Sequence, residues 1–262
     1  MHRIRMMQLG WVYHDDFLLH FGGSDHPERL KVIVEGLADA GLLDQMERLA
    51  FSDPNPRELW GVHVPAYVSL VQLACMRGMP FLGCRETPLC KQTYDTAMLA
   101  VGGVLAACDA SIAGRVPRSF CAVRPPGHHA QPESAGGFCL FNNVAMEPGS
   151  GDEAYRKAFA EKIMPALYQY KPEFVLLSAG FDALSGDRIA HMNLEPESYR
   201  WMSEEVVKLA DECCRGWLVS VLEGGYELSL LKEAVVQHVL TMMRGWTMVQ
   251  PKTEAAQLLK AS

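Results

Sequence analysis

The 262-residue chain has no C-x-x-C pair, no cluster of lysine and arginine, no internal repeat and no low-complexity segment. Without paired spacing, the eight cysteines at 75, 84, 90, 108, 121, 139, 213 and 214 do not suggest a structural zinc site of thiolates. Cys108 and Cys121 sit in apolar stretches and read as small core residues, and Cys213-Cys214 reads as the close of a helix. Lysine and arginine number 24 against 31 acidic residues, a formal charge of −7, so a nucleic-acid-binding face is not expected. No apolar run approaches the roughly 18–20 residues of a membrane helix. The first seven residues lack the apolar core of a signal peptide, and the unpaired cysteines suit a reducing cytoplasm. What remains is ordinary for a globular chain: 49 % hydrophobic and 21 % charged. No linker interrupts it, and residues 1–262 read as a single domain.

Short apolar runs alternate with helical patterns. Ser119–Val123, Phe174–Leu177 and Trp217–Leu222 read as strands buried on both faces, with Leu9–Tyr13 a weaker fourth. Apolar stripes at helical spacing run from Tyr94 to Ile112, from Tyr199 to Cys213 and from Leu231 to Met242. A further helix starts at the capping-box pattern Ser150-Gly151-Asp152-Glu153, and Pro165 should kink it or end its regular hydrogen bonding. His238 lies on an apolar stripe and reads as a core histidine, while His63 and His191 suggest no more than loop or helix-edge positions. Strand–helix alternation predicts an α/β fold with a mainly parallel sheet. One interval breaks the rhythm. About fifty residues separate Val123 from Phe174 yet hold one clear helix, against roughly thirty per strand–helix unit. The run Gly137–Met146 reads as the entry to a buried helix and stops abruptly at Glu147-Pro148-Gly149.

A polar cluster follows each of the three best strands: Arg124-Pro-Pro-Gly-His128-His129, Ser178-Ala-Gly-Phe-Asp182 and Glu223-Gly-Gly-Tyr226. In open parallel sheets ligands bind beyond the carboxyl ends of the strands, where these loops would converge. Two imidazoles, a carboxylate and a phenol placed there could form a hydrolytic site. Each also has a plain reading when taken alone: histidines of a polar loop, an aspartate capping the next segment, a turn whose ring packs on the core.

Together with Gly137-Phe-Cys-Leu-Phe-Asn-Asn143 and His26-Pro-Glu-Arg-Leu30, these motifs closely resemble the zinc-dependent histone deacetylase family, which includes acetoin-utilisation and acetylpolyamine amidohydrolase proteins. The resemblance covers nearly the whole chain, in family order. It implies a three-layer arginase/deacetylase-like fold and zinc-dependent hydrolysis of N-acetyl amides, of acetyl-lysine or acetylpolyamine type. It implies that His128 and His129 form the proton-transferring dyad and that Tyr226 is the phenol stabilising the oxyanion. By the same resemblance Asp182 is a zinc ligand, Phe138 and Gly137 line the acyl tunnel, and Glu86 is a rim carboxylate holding substrate.

The family pattern also demands an Asp-x-Asp-x-His-His-Gly strand after Phe-Asn-Asn, supplying one Asp and one His to zinc and carboxylates that orient the dyad. Here Asn143-Val-Ala145 runs almost directly into Glu147-Pro-Gly-Ser-Gly-Asp152. An internal deletion at about 145–147 is therefore expected. It leaves Asp182 as the remaining family ligand, the sheet short on one side, and zinc weakly bound or absent. Three readings stay open: an impaired amide hydrolase, a non-catalytic binding module for acylated amines or a protein partner, or a truncated product without evolved function. The strand at Phe174–Leu177 should form an apolar edge able to pair with another copy.

Overall fold

A computed structural model of the chain describes residues 3–83, 85–141, 152–190 and 192–247. The segment holding the capping-box residues Ser150 and Gly151 and the Ala145–Glu147 junction lies outside them, as does His191.

Five parallel strands form the main sheet: β2 (Leu9–Val12), β3 (Met46–Arg48), β4 (Arg118–Cys121), β5 (Val175–Ala179) and β6 (Leu218–Leu222), in the order β3-β2-β4-β6-β5. The predicted α/β class with a parallel sheet is what the chain adopts. A separate antiparallel pair joins β1 (Arg3–Met6) to β7 (Arg244–Thr247), a pairing the sequence pattern did not announce. The apolar runs behave as expected where strands flank both sides: every residue of β2, β4 and β6 is buried. Among the described residues β5 pairs with β6 alone and closes one side of the sheet, with Leu176 52 % exposed.

Side-chain alternation sorts the helices into two layers. Phe120 of β4 and Ser220 of β6 meet His238 of α7 (Leu228–Met242). α7 in turn packs on α1 (Glu28–Asp39) and α6 (Pro196–Cys213). The next residues along, Val221 and Val123, border an apolar cavity of about 250 Å³ with Val101 and Val104 of α3 (Thr93–Ile112). Leu176 and Phe141 also line that cavity. α3 is long and apolar enough to cross a membrane by composition, a feature the run-length reading overlooked. Its Met98, Leu99, Ala100 and Ala107 are instead buried in the core, as suits a central helix.

α1 and α2 (Pro65–Met76) were not anticipated, although Leu30, Ile33 and Leu37 bury one stripe of the first. His63 is a correction to the loop-edge reading: it is 2 % exposed and packs against Tyr67 and Phe141, ring centroids 5.3 and 5.2 Å away. The segment α4 (Asp152–Ala158), a π-helical turn (Phe159–Ile163) and α5 (Met164–Tyr170) bears out the expected effect of Pro165. Proline has no N–H to donate one turn back, and the helix widens just before it. The buried helix expected from Gly137 does not begin there. Gly137 and Phe138 both have positive φ, 50° and 67°, and Gly136 bridges Cys139 in a tight turn.

His238 is the core histidine expected. Its Nδ1 and Nε2 lie 2.6 and 2.8 Å from the hydroxyls of Ser203 and Ser220, and burial holds its pKa down to about 4. Between that value and the ordinary 6.5, the unfolded chain binds the proton and the folded chain does not. Stability is therefore fully present above pH 6.5 and falls by up to about 3 kcal/mol as the pH drops towards 4. Urea midpoints measured across that range should show the fall, and His238→Gln should flatten it.

Candidate functional site

Because β4, β6 and β5 run parallel in close register, with Cys121 and Ser178 both opposite Val221, their following loops open at one end of the sheet. A buried ionic node fixes two of those loops. Asp25, with no exposed surface, accepts at Oδ1 from Arg29 Nη1 (2.6 Å) and Arg124 Nε (2.8 Å). Burial works to raise its pKa, but Arg124 and Arg29 outweigh that and hold the carboxyl below its usual range. Arg124, the first residue of the histidine loop, also donates to the carbonyls of Phe17, His20 and Asp25. Arg29 donates to the carbonyls of Glu223 and Gly225, and its guanidinium lies 4.8 Å from the Tyr226 ring centroid. The loops after β4 and β6 are thus bolted to one carboxylate.

On that base the histidines meet. The rings of His128 and His129 lie 4.0 Å apart, centroid to centroid. His128 is half-buried, with Nδ1 3.1 Å from Oε2 of Glu223, while His129 is exposed. Although its surface is exposed, the partial desolvation of its ring by the packed loops, and the neighbouring His128, lower the pKa of His129, which favours its neutral form. Gly137 has a packing reason: a Cβ there would stand 2.5 Å from Cδ2 of His129. Phe138, in a left-handed conformation rare for a bulky residue, donates its N–H to the carbonyl of Glu86 (2.9 Å). Glu86 therefore acts on the site through its backbone, and its side chain is exposed at the rim.

Phe138 and Tyr226 face each other with centroids 5.6 Å apart. Burial pushes the Tyr226 phenol far up, so it stays protonated as a hydrogen-bond donor. Asp187 holds that residue in place by accepting from the N–H groups of Tyr226 and Glu227 (2.6 and 3.1 Å). Asp182 sits in a slot between two glycines. A Cβ at Gly224 would overlap its carboxylate, and one at Gly180 would lie 3.0 Å from Oδ1. Burial raises its pKa, and among the described residues no cation forms an ion pair with it. All the residues singled out from sequence thus fall on one loop cluster. Sequence reasoning missed Asp25, Arg29 and Asp187. Arg29 lay inside the quoted His26–Leu30 motif and Asp25 just before it at i,i+4 spacing, whereas Asp187 acts through residues far along the chain.

A neutral imidazole acceptor beside a second imidazole, and a protonated phenol packed against an aromatic ring, suit proton transfer at a polarised acyl group. The histone deacetylase domain matches the chain over residues 24–147 and 143–242. The chain belongs to the histone deacetylase family. Family relatives include a probable deacetylase of Archaeoglobus fulgidus, 26 % identical over 85 % of this chain and 82 % of its own length. Histone deacetylase HDA1 of Saccharomyces cerevisiae is 30 % identical over 81 % of the chain and 43 % of its own length. The human polyamine deacetylase HDAC10 is 28 % identical over 84 % of the chain, which spans 44 % of that relative. The crystal structure of the HDA15 HD domain superposes with a TM-score of 0.83 at 22 % identity, covering 91 % of this chain and 90 % of that one, and establishes the fold. Deacetylase hydrolysis is the chemistry this family carries.

The family is zinc-dependent, and the donor set was tested against that metal. A catalytic zinc takes three protein ligands and a water. Among the described residues no three His, Cys, Asp or Glu side chains converge, around Asp182 or elsewhere. The described residues, by themselves, do not make the donor set a catalytic zinc requires.

The buried node makes a direct prediction. Asp25→Asn should leave two buried guanidinium groups without a counter-charge and cost about 3–5 kcal/mol, read as a large drop in urea midpoint. The depressed carboxyl should likewise stabilise the fold above pH 4 and lose that contribution as the pH falls below its ordinary 3.8.

Proposed function

We propose that this chain is a deacetylase-type protein keeping the amine-binding and proton-transferring part of the site, His128, His129, Tyr226, Gly137 and Phe138, without the metal-holding part. On this reading it binds an acetyl-lysine or acetylpolyamine type of substrate and hydrolyses it poorly, because two zinc ligands are missing from the chain and Asp182 stands alone. The observation that carries the reading is the isolation of Asp182 from any further ligand-type cluster among the described residues. The position of the proposed internal deletion is supported independently. The two family matches meet at residues 143–147, beside the junction read from sequence. The alignment with the archaeal deacetylase runs over 300 positions, more than the 262 residues the chain possesses, so that relative carries segments this one lacks. Phe141, just before the junction, lines the apolar cavity together with Leu176 of the open edge β5.

A non-catalytic binding module is the second reading, favoured by the well-ordered dyad and Phe138–Tyr226 pair. We further propose self-association through the one-sided strand β5, with Leu176 as its exposed centre. No nucleic-acid or membrane partner is proposed. A cytoplasmic setting suits the seven described cysteines, all free thiols.

Calorimetry with an acetyl-lysine peptide and with an N-acetylated polyamine, alongside turnover assays on the same compounds, separates the readings. Binding with slow turnover that His128→Ala abolishes is the expected result, whereas binding with no turnover above that variant identifies the binding module. Turnover as fast as that of a zinc-loaded deacetylase overturns the reading, and neither binding nor turnover identifies a truncated product. Sequencing the gene across the Ala145–Glu147 junction then tells a natural deletion from an assembly error.

A further inference from the structure

We propose that Glu223 is the positioning residue of His128, fixing its ring with Nδ1–H towards the carboxylate and Nε2 as the proton acceptor. This deepens the reading of the site as deacetylase-type and is independent of metal content. The resemblance assigns orientation of the dyad to carboxylates of the missing strand, and Glu223 enters that pattern only as the residue before Gly-Gly-Tyr. The geometry gives it more to do.

Glu223 is 2 % exposed, and its two oxygens are engaged from two sides, one by the loop after β4 and the other by Ser178 of β5. Oε2 receives the N–H of Gly127 at 2.8 Å and lies 3.1 Å from Nδ1 of His128. Oε1 receives the hydroxyl of Ser178 at 3.0 Å. Its backbone is pinned as well, the N–H donating to Ala179 and the carbonyl accepting from Arg29. A carboxylate held this tightly cannot rotate away, and as a pure acceptor it demands a proton on Nδ1. A neutral ring then presents Nε2 as the lone-pair nitrogen, the form a general base needs.

Cys139 is the other group near Nδ1, with Sγ 3.8 Å away. Its thiol donates to the carbonyl of Gly137 at 3.4 Å, and burial keeps it protonated, so it offers Nδ1 no competing anion. His129 lies against the ring at a tilt of 41° and forms no hydrogen bond to Nδ1 among the described contacts. Glu223 is thus the acceptor that decides the tautomer.

Two-bond ¹H–¹⁵N correlation spectra of the metal-free, ¹⁵N-labelled chain at pH 8 read that tautomer directly, with His128 assigned by loss of its peaks in His128→Gln. Wild type should show Nδ1 protonated and Nε2 bare. Glu223→Gln keeps an oxygen acceptor in place and should preserve the pattern. Glu223→Asp keeps the charge but withdraws it by one methylene, so the Nδ1–H form should fall to a minority. A folded Glu223→Asp protein is confirmed by its retained circular dichroism. A wild-type ring protonated on Nε2, or a Glu223→Asp spectrum unchanged at His128, overturns the assignment. Either result leaves the binding and turnover comparison untouched.

Discussion

One carboxylate, Asp25, held without exposed surface between the guanidinium groups of Arg29 and Arg124, organises everything above it. Two buried cations and one anion leave a positive charge unbalanced by side chains, and the excess is spread over backbone carbonyls. Arg124 takes those of Phe17, His20 and Asp25, and Arg29 takes those of Glu223 and Gly225. Arginine suits this role because its planar fork of five donors can satisfy several fixed acceptors at once. Since Arg124 begins the histidine loop and Arg29 grips the Glu223–Tyr226 loop, the ion pairs set the spacing between the proton-transferring groups and the phenol. A structural interaction therefore does the positioning that chemistry requires.

Around the node the site divides by charge. The groups that move or donate protons are neutral: His129 with a depressed pKa, Tyr226 with a raised one. Glu223 and Asp182, the carboxylates nearest the dyad loops, have opposite fates. Glu223 is satisfied by Gly127, His128 and Ser178, whereas Asp182 occupies a glycine-walled slot with no ion-pair partner among the described residues. An anion desolvated in that way is costly, and its raised pKa follows from burial. Asp182 is shaped for a counter-charge that the described part of this chain does not supply.

Much of this was legible in the sequence, for physical reasons that can be named. Apolar runs made β4, β5 and β6 stand out, and the polar residues ending each run were bound to emerge at one edge. β5 is not buried on both faces as its run suggested, because it lies at the side of the described sheet. Pro165 announced its own helix distortion because a missing N–H has the same consequence wherever it falls. Asp25 and Asp187 were not legible, since Arg124 and Tyr226, through which they act on the site, lie 99 and 39 residues away and leave no periodic trace. The helix expected at Gly137 failed because apolar content was read as helix, while positive φ at Gly137 and Phe138 is imposed by packing against His129 and by the bond to Glu86. His63 looked like a loop residue for want of any local sign that Tyr67 and Phe141 would close over it.

We propose that the chain retains a deacetylase's proton-transfer groups, while its described residues hold no zinc donor set. The most direct test is the metal content of the purified protein after incubation with excess Zn²⁺ and exhaustive dialysis, measured by elemental mass spectrometry against protein concentration. The account predicts zinc well below one equivalent, unchanged by Asp182→Asn. One equivalent of zinc that survives dialysis in wild type and is lost in Asp182→Asn would contradict it.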